Sequence, residues 1–186
     1  ATLRRQRQMC IRDRLINLLT AVIASNVIGL FDGNIEKVVA LAILMPIVAS
    51  MGGNAATQTL AVTVRLLATK ELMSDNLSQI INKEFVVGVL NGLLFSLISA
   101  AFVYFWFYDF KLSILIGISM IINMLFAGLS GIIIPILLNK YKIDPAIAST
   151  VFVTTVTDVI GFLSFLGLAS FILDIDKSMI FSLTSD

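Results

Sequence analysis

Asp158 is a carboxylate set inside an apolar run. The run extends from about Ala146 to Leu173, and Asp158 stands about 12 residues into it. That is near 18 Å along a helix rising about 1.5 Å per residue, close to the midplane if the run crosses a bilayer. A charged carboxylate at that depth costs roughly 2.5–3.5 kcal/mol on insertion scales. No Lys or Arg within any apolar run is placed to pair with it. Three chemistries answer such a residue. It binds a cation that the chain does not contain, it carries a proton, or it stays neutral and bonds to Thr154 one turn earlier. The other eleven of the 12 acidic residues read as loop or run-end positions.

The neighbours of Asp158 favour the cation. Thr154, Thr155 and Thr157 bring hydroxyls to the same run. Thr154 is four residues before Asp158 and Gly161 three after, so the three share one helical face. A second polar element lies in the run from Val38 to Ala68, where Met45 to Gln58 reads MPIVASMGGNAATQ. Asn54 is 16 residues into that run, nearly the depth of Asp158. Pro46 and the Gly52-Gly53 pair predict a weakened, broken helix. Such a break would expose main-chain carbonyls, which is tolerated at membrane depth only against protein or a watery cavity. Carbonyls, hydroxyls, an amide and a carboxylate make an all-oxygen lining suited to Mg²⁺, Ca²⁺ or Mn²⁺. A Mg²⁺ ion would keep its waters, since it dehydrates reluctantly. Close helix packing explains the glycines equally well, because Gly52 and Ala56 are also spaced as small residues one turn apart.

The composition demands elements that hold these groups in a membrane. Of 186 residues, 58% are hydrophobic and 13% charged, and mean hydropathy is +0.99. Soluble domains carry about twice that charge. The net charge of +1 argues against nucleic acid as a partner. The chain has no His and one Cys, Cys10, which excludes His-based catalysis, Cys/His zinc sites and an intrachain disulfide. Catalysis by paired carboxylates needs two that share a proton, and one deeply placed Asp per chain does not supply them. The chain is therefore not read as an enzyme.

Five apolar runs follow in order. They are Leu15–Phe31, the interrupted Val38–Ala68, Phe85–Phe107, Leu112–Leu138 and Ala146–Leu173. Asp32-Gly33-Asn34 predicts a turn, and residues 69–83 read as a polar loop with room for a short interfacial helix. Gly88 and Gly92, four apart, predict close approach of two helices. Asp144-Pro145 predicts a helix start with Asp as N-cap. Residues 1–14, ATLRRQRQMCIRDR, differ from the rest and read as a non-native or juxtamembrane leader, with a natural N-terminus expected upstream. The expected division is this leader, a five-helix transmembrane domain over 15–173, and an extracytoplasmic tail over 174–186. Ten of the 13 basic residues fall on the side of the N-terminus and of the 69–83 and 139–144 loops. That side is expected to be cytoplasmic, which puts the C-terminus outside.

One carboxylate is too little charge for a divalent ion, and five helices make a thin wall around a pore. A two-fold axis near Asp158 would supply two carboxylates and a second wall, so a homodimer is expected. At this point the residues resemble a family. Pro46 to Gln58 with Arg65-Leu-Leu-Ala68, then Asp144-Pro145-Ala-Ile-Ala-Ser149 and Thr154-Thr155-Val-Thr157-Asp158-Val-Ile-Gly161, resemble the two signatures of the MgtE magnesium transporters and their animal solute-carrier relatives. The resemblance covers Leu15 to about Leu173. It implies an all-α, five-span, homodimeric Mg²⁺ channel of the bacterial inner membrane, importing hydrated Mg²⁺ passively through a pore on the dimer axis. It also implies that the match of Asp158 recognises the ion, with the main-chain carbonyl of Thr154 beside it. Family members usually read GGNAGTQ, and this chain carries Ala56 at the second glycine. The family's cytoplasmic regulatory domains have no match in this chain and are expected elsewhere in a full-length protein. The ion-site residues expected are Asp158, Thr154, Gly161, Asn54, Gly53 and Gly52. The competing expectation is a proton-coupled carrier with Asp158 as proton acceptor, which usually shows a repeated fold.

Overall fold

The computed structural model of the chain describes residues 2–70 and 77–173, with side chains from Arg14 onward except at residues 77 and 146–148. Every regular element among them is a helix: α1 (Thr2–Gly29), α2 (Asp32–Lys37), α3 (Val39–Ala68), α4 (Leu77–Phe107), α5 (Phe110–Lys140) and α6 (Pro145–Ile172). Four stretches are long and apolar enough to cross a membrane: Val39–Ala68, Ser78–Phe107, Phe110–Lys140 and Ser149–Ile172. A shorter apolar stretch, Arg14–Gly29, closes α1. The chain is an all-α membrane protein. The expected tail domain, 174–186, and residues 71–76 of the expected loop lie outside the described residues.

Three local expectations are corrected. The Asp32-Gly33-Asn34 turn is the first turn of the short helix α2, held by Asn34 Nδ2 donating to Ser170 Oγ on α6 at 2.5 Å. The helix allowed for within the 69–83 stretch is not a separate interfacial one: from Leu77 onward the stretch forms the first turns of α4 itself. The expected break in α3 is absent: Pro46 and Gly52-Gly53 lie within one continuous helix of 30 residues. The reason is the membrane setting. Two glycines cost a helix about 2 kcal/mol together. Opening the backbone in an apolar medium costs several kcal/mol for each unsatisfied group.

Packing sets the directions of the helices. Leu41, Leu44 and Val48 near the start of α3 pack with Leu112, Leu115 and Ile116 near the start of α5 and with Phe165, Leu166 and Ala169 near the end of α6. Ala56 and Leu60, further along α3, pack with Ala127 of α5 and Val153 of α6. Hence α3 and α5 run together and α6 runs against both. The α1–α2 connection lies at the C-terminal end of α6, where Phe31 reaches Gly167.

α4 and α5 form a hairpin with a two-residue connection. Tyr108 takes a left-handed conformation, φ 54°, at about 1–2 kcal/mol for a residue with a side chain. The Asp109 carboxylate offsets this by capping α5, accepting from the Lys111 and Leu112 N–H groups at 2.8 and 3.3 Å. Gly88 and Gly92 make the close approach that their spacing predicts. A Cβ on Gly92 would stand 3.2 Å from the Ile121 Cα, and one on Gly88 3.5 Å from the Leu125 Cα. Gly92→Val should therefore push α4 off α5 and lower unfolding stability by about 1–3 kcal/mol. Denaturant titration in detergent micelles, with Leu93→Val on the exposed face as the control, measures it.

Candidate ion site

Asn123, at the middle of α5, is the residue on which the two sequence signatures converge. It is fully buried, and its Nδ2 donates to the Val48 carbonyl of α3 at 2.7 Å. Its Oδ1 is buried with no hydrogen-bond partner among the described residues. Gly52 of α3 and Gly161 of α6 face this amide from two sides. A Cβ on Gly52 would overlap it, at 2.7 Å from Cγ, and a Cβ on Gly161 would lie 2.9 Å from Nδ2. Of the two readings of Gly52, the geometry favours packing: its lack of a side chain makes room for Asn123. A Cβ on Gly53 would meet nothing within 4 Å, and Asn54 is exposed. The continuity of α3 also commits the backbone carbonyls at this level to helical bonding.

The shared amide places Gly52 and Gly161 at one level. Asp158 lies three residues before Gly161, about 4.5 Å along α6, and Asn54 two after Gly52, about 3 Å along α3. Because α3 and α6 are antiparallel, both steps run toward the same end of the bundle. Asn54 and Asp158 thus share a depth to within about 2 Å. Asp158 is partly exposed, and its carboxylate has no hydrogen-bond or ionic partner among the described residues. Asn54 belongs to an outward polar face of α3 with Ser50, Gln58 and Arg65, all exposed.

The threonines of α6 turn their hydroxyl protons back on the helix. Thr154 Oγ1 donates to the Thr150 and Val151 carbonyls at 2.9 and 3.1 Å, and Thr155 Oγ1 to the Val151 carbonyl at 2.6 Å. Thr157 Oγ1 donates to the Thr154 carbonyl at 2.9 Å. The Thr154 carbonyl therefore already has a side-chain donor besides its helical partner. The Thr154 hydroxyl oxygen, with its proton turned away, is the freer acceptor on this turn. Among the described residues no three Asp, Glu, Cys or His side chains gather into a metal cluster.

Two residues matter more in the structure than in the sequence reading. Asn123 stands out in the sequence only as a polar residue in an apolar run, the type that bonds across helices in membranes. Glu84 reads in the sequence as a run-end acid. It is in the second turn of α4, half-buried, and its Oε1 accepts from Thr59 Oγ1 of α3 at 2.5 Å. Its spacing from Gly88 and Asn91, four and seven residues on, marks one face of a helix and is the available signal.

Comparison with known proteins places the chain in a family. The MgtE family model, described as a divalent cation transporter, matches residues 45–168, from just before Pro46 past Gly161. The chain is 34% identical over 156 residues to the magnesium transporter MgtE of Bacillus subtilis (strain 168), covering 84% of this chain and 35% of that protein. It is 33% identical over 164 residues to the magnesium transporter MgtE of Thermus thermophilus, covering 88% and 36%. With the magnesium transporter MgtE of Enterococcus faecalis it shares 32% identity over 155 residues, covering 83% and 33%. The chain thus spans about a third of the length of these curated relatives. They are transporters, not enzymes. By a family model covering most of its helical bundle, and by these relatives, the chain belongs to the MgtE family of divalent cation transporters.

Proposed function

We propose that residues 15–173 form the pore of a Mg²⁺ channel in a bacterial inner membrane. Two copies of the chain pair with five spans each, the N-terminus in the cytoplasm and the C-terminus outside, and hydrated Mg²⁺ passes inward along the dimer axis. The observation that carries this reading is Asp158, a partly exposed acid with no partner among the described residues, at the depth of Asn54 in a membrane protein. One carboxylate per chain calls for a second chain to balance a divalent charge. The outward polar face of α3 supports the same pairing, because Asn54 and Gln58 have no place against lipid tails. The names of the relatives support magnesium as the ion.

On this reading Asp158 supplies charge, the Thr154 hydroxyl and the Asn54 amide accept hydrogen bonds from the ion's waters, and Gly53 leaves open space beside them. Gly52 and Gly161 act by seating Asn123, which holds α3 against α6. Water-mediated contacts suit an ion that dehydrates reluctantly. The driving force is the membrane potential, about 4.6 kcal/mol per 100 mV for a doubly charged ion.

Proteoliposomes with a potential imposed by a K⁺ gradient and valinomycin, and equal pH on both sides, test the mechanism. Mg²⁺ uptake into the vesicles should rise with inside-negative potential and persist without a pH gradient. Uptake that needs a proton gradient, or proton movement that continues without divalent ions, would establish the proton-coupled alternative instead.

A further inference from the structure

A second acidic group stands nearer the basic end of the bundle, in a groove the Asp158 site does not use. The groove lies between α3, α4 and α5, is open along one side and has a volume of about 220 Å³. Its polar lining is Gln58, Thr59, Thr63, Glu84 and Asn91. Glu84 has no basic partner among the described residues, and Thr59 is its one donor there. Its second carboxylate oxygen has no partner among the described residues. The seat for this pair is cut into α5. A Cβ on Gly131 would come within 2.8 Å of the Thr59 Cβ, and a Cβ on Gly128 within 3.4 Å of the Glu84 Cγ.

We propose that Glu84, with Gln58, Thr59 and Asn91, is a second cation station that holds a divalent ion in its hydrated form. A divalent ion with six waters fills roughly 180 Å³, at about 30 Å³ per water, which is less than the volume of the groove. The free carboxylate oxygen and the two amide oxygens accept hydrogen bonds from coordinated water. A half-buried acid without a basic neighbour gains from a cation that leaves most of its waters in place. Thr59 is five residues beyond Asn54 on α3, so the station lies about 7–8 Å closer to the basic end than the Asp158 level. Gln58 belongs both to the groove and to the outward polar face that carries Asn54, so the groove opens onto that face. The station's place on the ion path rests on the pore reading above; its capacity to bind an ion does not.

Counting bound Mn²⁺ by electron paramagnetic resonance tests it, using the whole chain in nanodiscs of zwitterionic lipid. The variants are Asp158→Asn, Glu84→Gln and the two combined, with dimer content followed by light scattering. Glu84→Gln keeps the shape of the side chain and the acceptor for Thr59 while removing the charge. Asp158→Asn should retain saturable Mn²⁺ binding that Mg²⁺ displaces, and adding Glu84→Gln should weaken it at least tenfold. Loss of all saturable binding in Asp158→Asn alone overturns the proposal. So does equal binding in the double variant and in Asp158→Asn, which would mark the residual sites as adventitious surface carboxylates. The pore reading fails separately, on undiminished Mg²⁺ flux through Asp158→Asn, whatever these counts show.

Discussion

Asp158→Asn should lower Mg²⁺ flux at least a hundredfold while leaving the protein folded and paired. The amide is nearly isosteric with the carboxylate, and the side chain is only partly buried on α6 with no partner to lose among the described residues. The change is therefore one of charge. On the proposed pore reading, at about 5 Å, with waters between, and an effective dielectric of about 20, each carboxylate would contribute roughly 6–7 kcal/mol to a doubly charged ion. In the proposed dimer two such contributions would be lost, and about 2.8 kcal/mol of retained loss after rehydration already corresponds to a hundredfold. Asp158→Glu keeps the charge but moves it by one methylene, so it should retain part of the flux and lose discrimination against Ca²⁺. A Mg²⁺-sensitive dye inside proteoliposomes measures all three proteins, and light scattering of the detergent-solubilised samples confirms pairing. Flux through Asp158→Asn equal to the parent would end the charge-based account.

Gly52→Ala should be severely destabilising, and Asn123→Ala should rescue it. The added methyl on Gly52 would occupy the place of the Asn123 amide. Displacing that amide breaks its bond to the Val48 carbonyl, leaving buried polar groups unpaired at about 1–3 kcal/mol. Overpacking adds about 1–3 kcal/mol. Asn123→Ala alone removes the orphaned Oδ1 along with the bond and leaves a small cavity. In the double variant the methyl added on α3 takes up part of that space. The two changes should therefore be strongly non-additive, with a coupling of about 1–3 kcal/mol in favour of the pair. Denaturation midpoints of the four proteins in detergent measure it. Strict additivity would mean that Gly52 serves the backbone of α3 and not the seat of Asn123.

Much of the fold is legible in the sequence because a membrane imposes simple rules. Apolar runs locate α3, α5 and α6 to within a few residues, and Asp144-Pro145 marks the start of α6 at Pro145. The glycine pair on α4 announces a close helix contact, which α5 supplies. Pro46 and Gly52-Gly53 suggest a break in α3 when weighed by propensity, whereas an apolar medium weighs backbone hydrogen bonding far more heavily. Glu84 looks peripheral when its distance from a run end is judged along one helix. The partner that draws it inward, Thr59, is on another helix, 25 residues away in the chain.

What the sequence determined by itself was chemical and one-dimensional. It specified a membrane protein, a family signature in two parts, and a single deep acid without a counter-charge. Those follow from residue type and position along a run, since depth in a bilayer is nearly proportional to distance along a helix. Only the tertiary structure decided which residues meet. Asn123 joins Gly52 to Gly161, and Glu84 reaches Thr59 over the glycines of α5. Which faces of α3, α4, α5 and α6 meet depends on how each helix is rotated about its axis. That rotation is set by side-chain packing between helices far apart in the chain, and the order of residues along any one of them does not contain it.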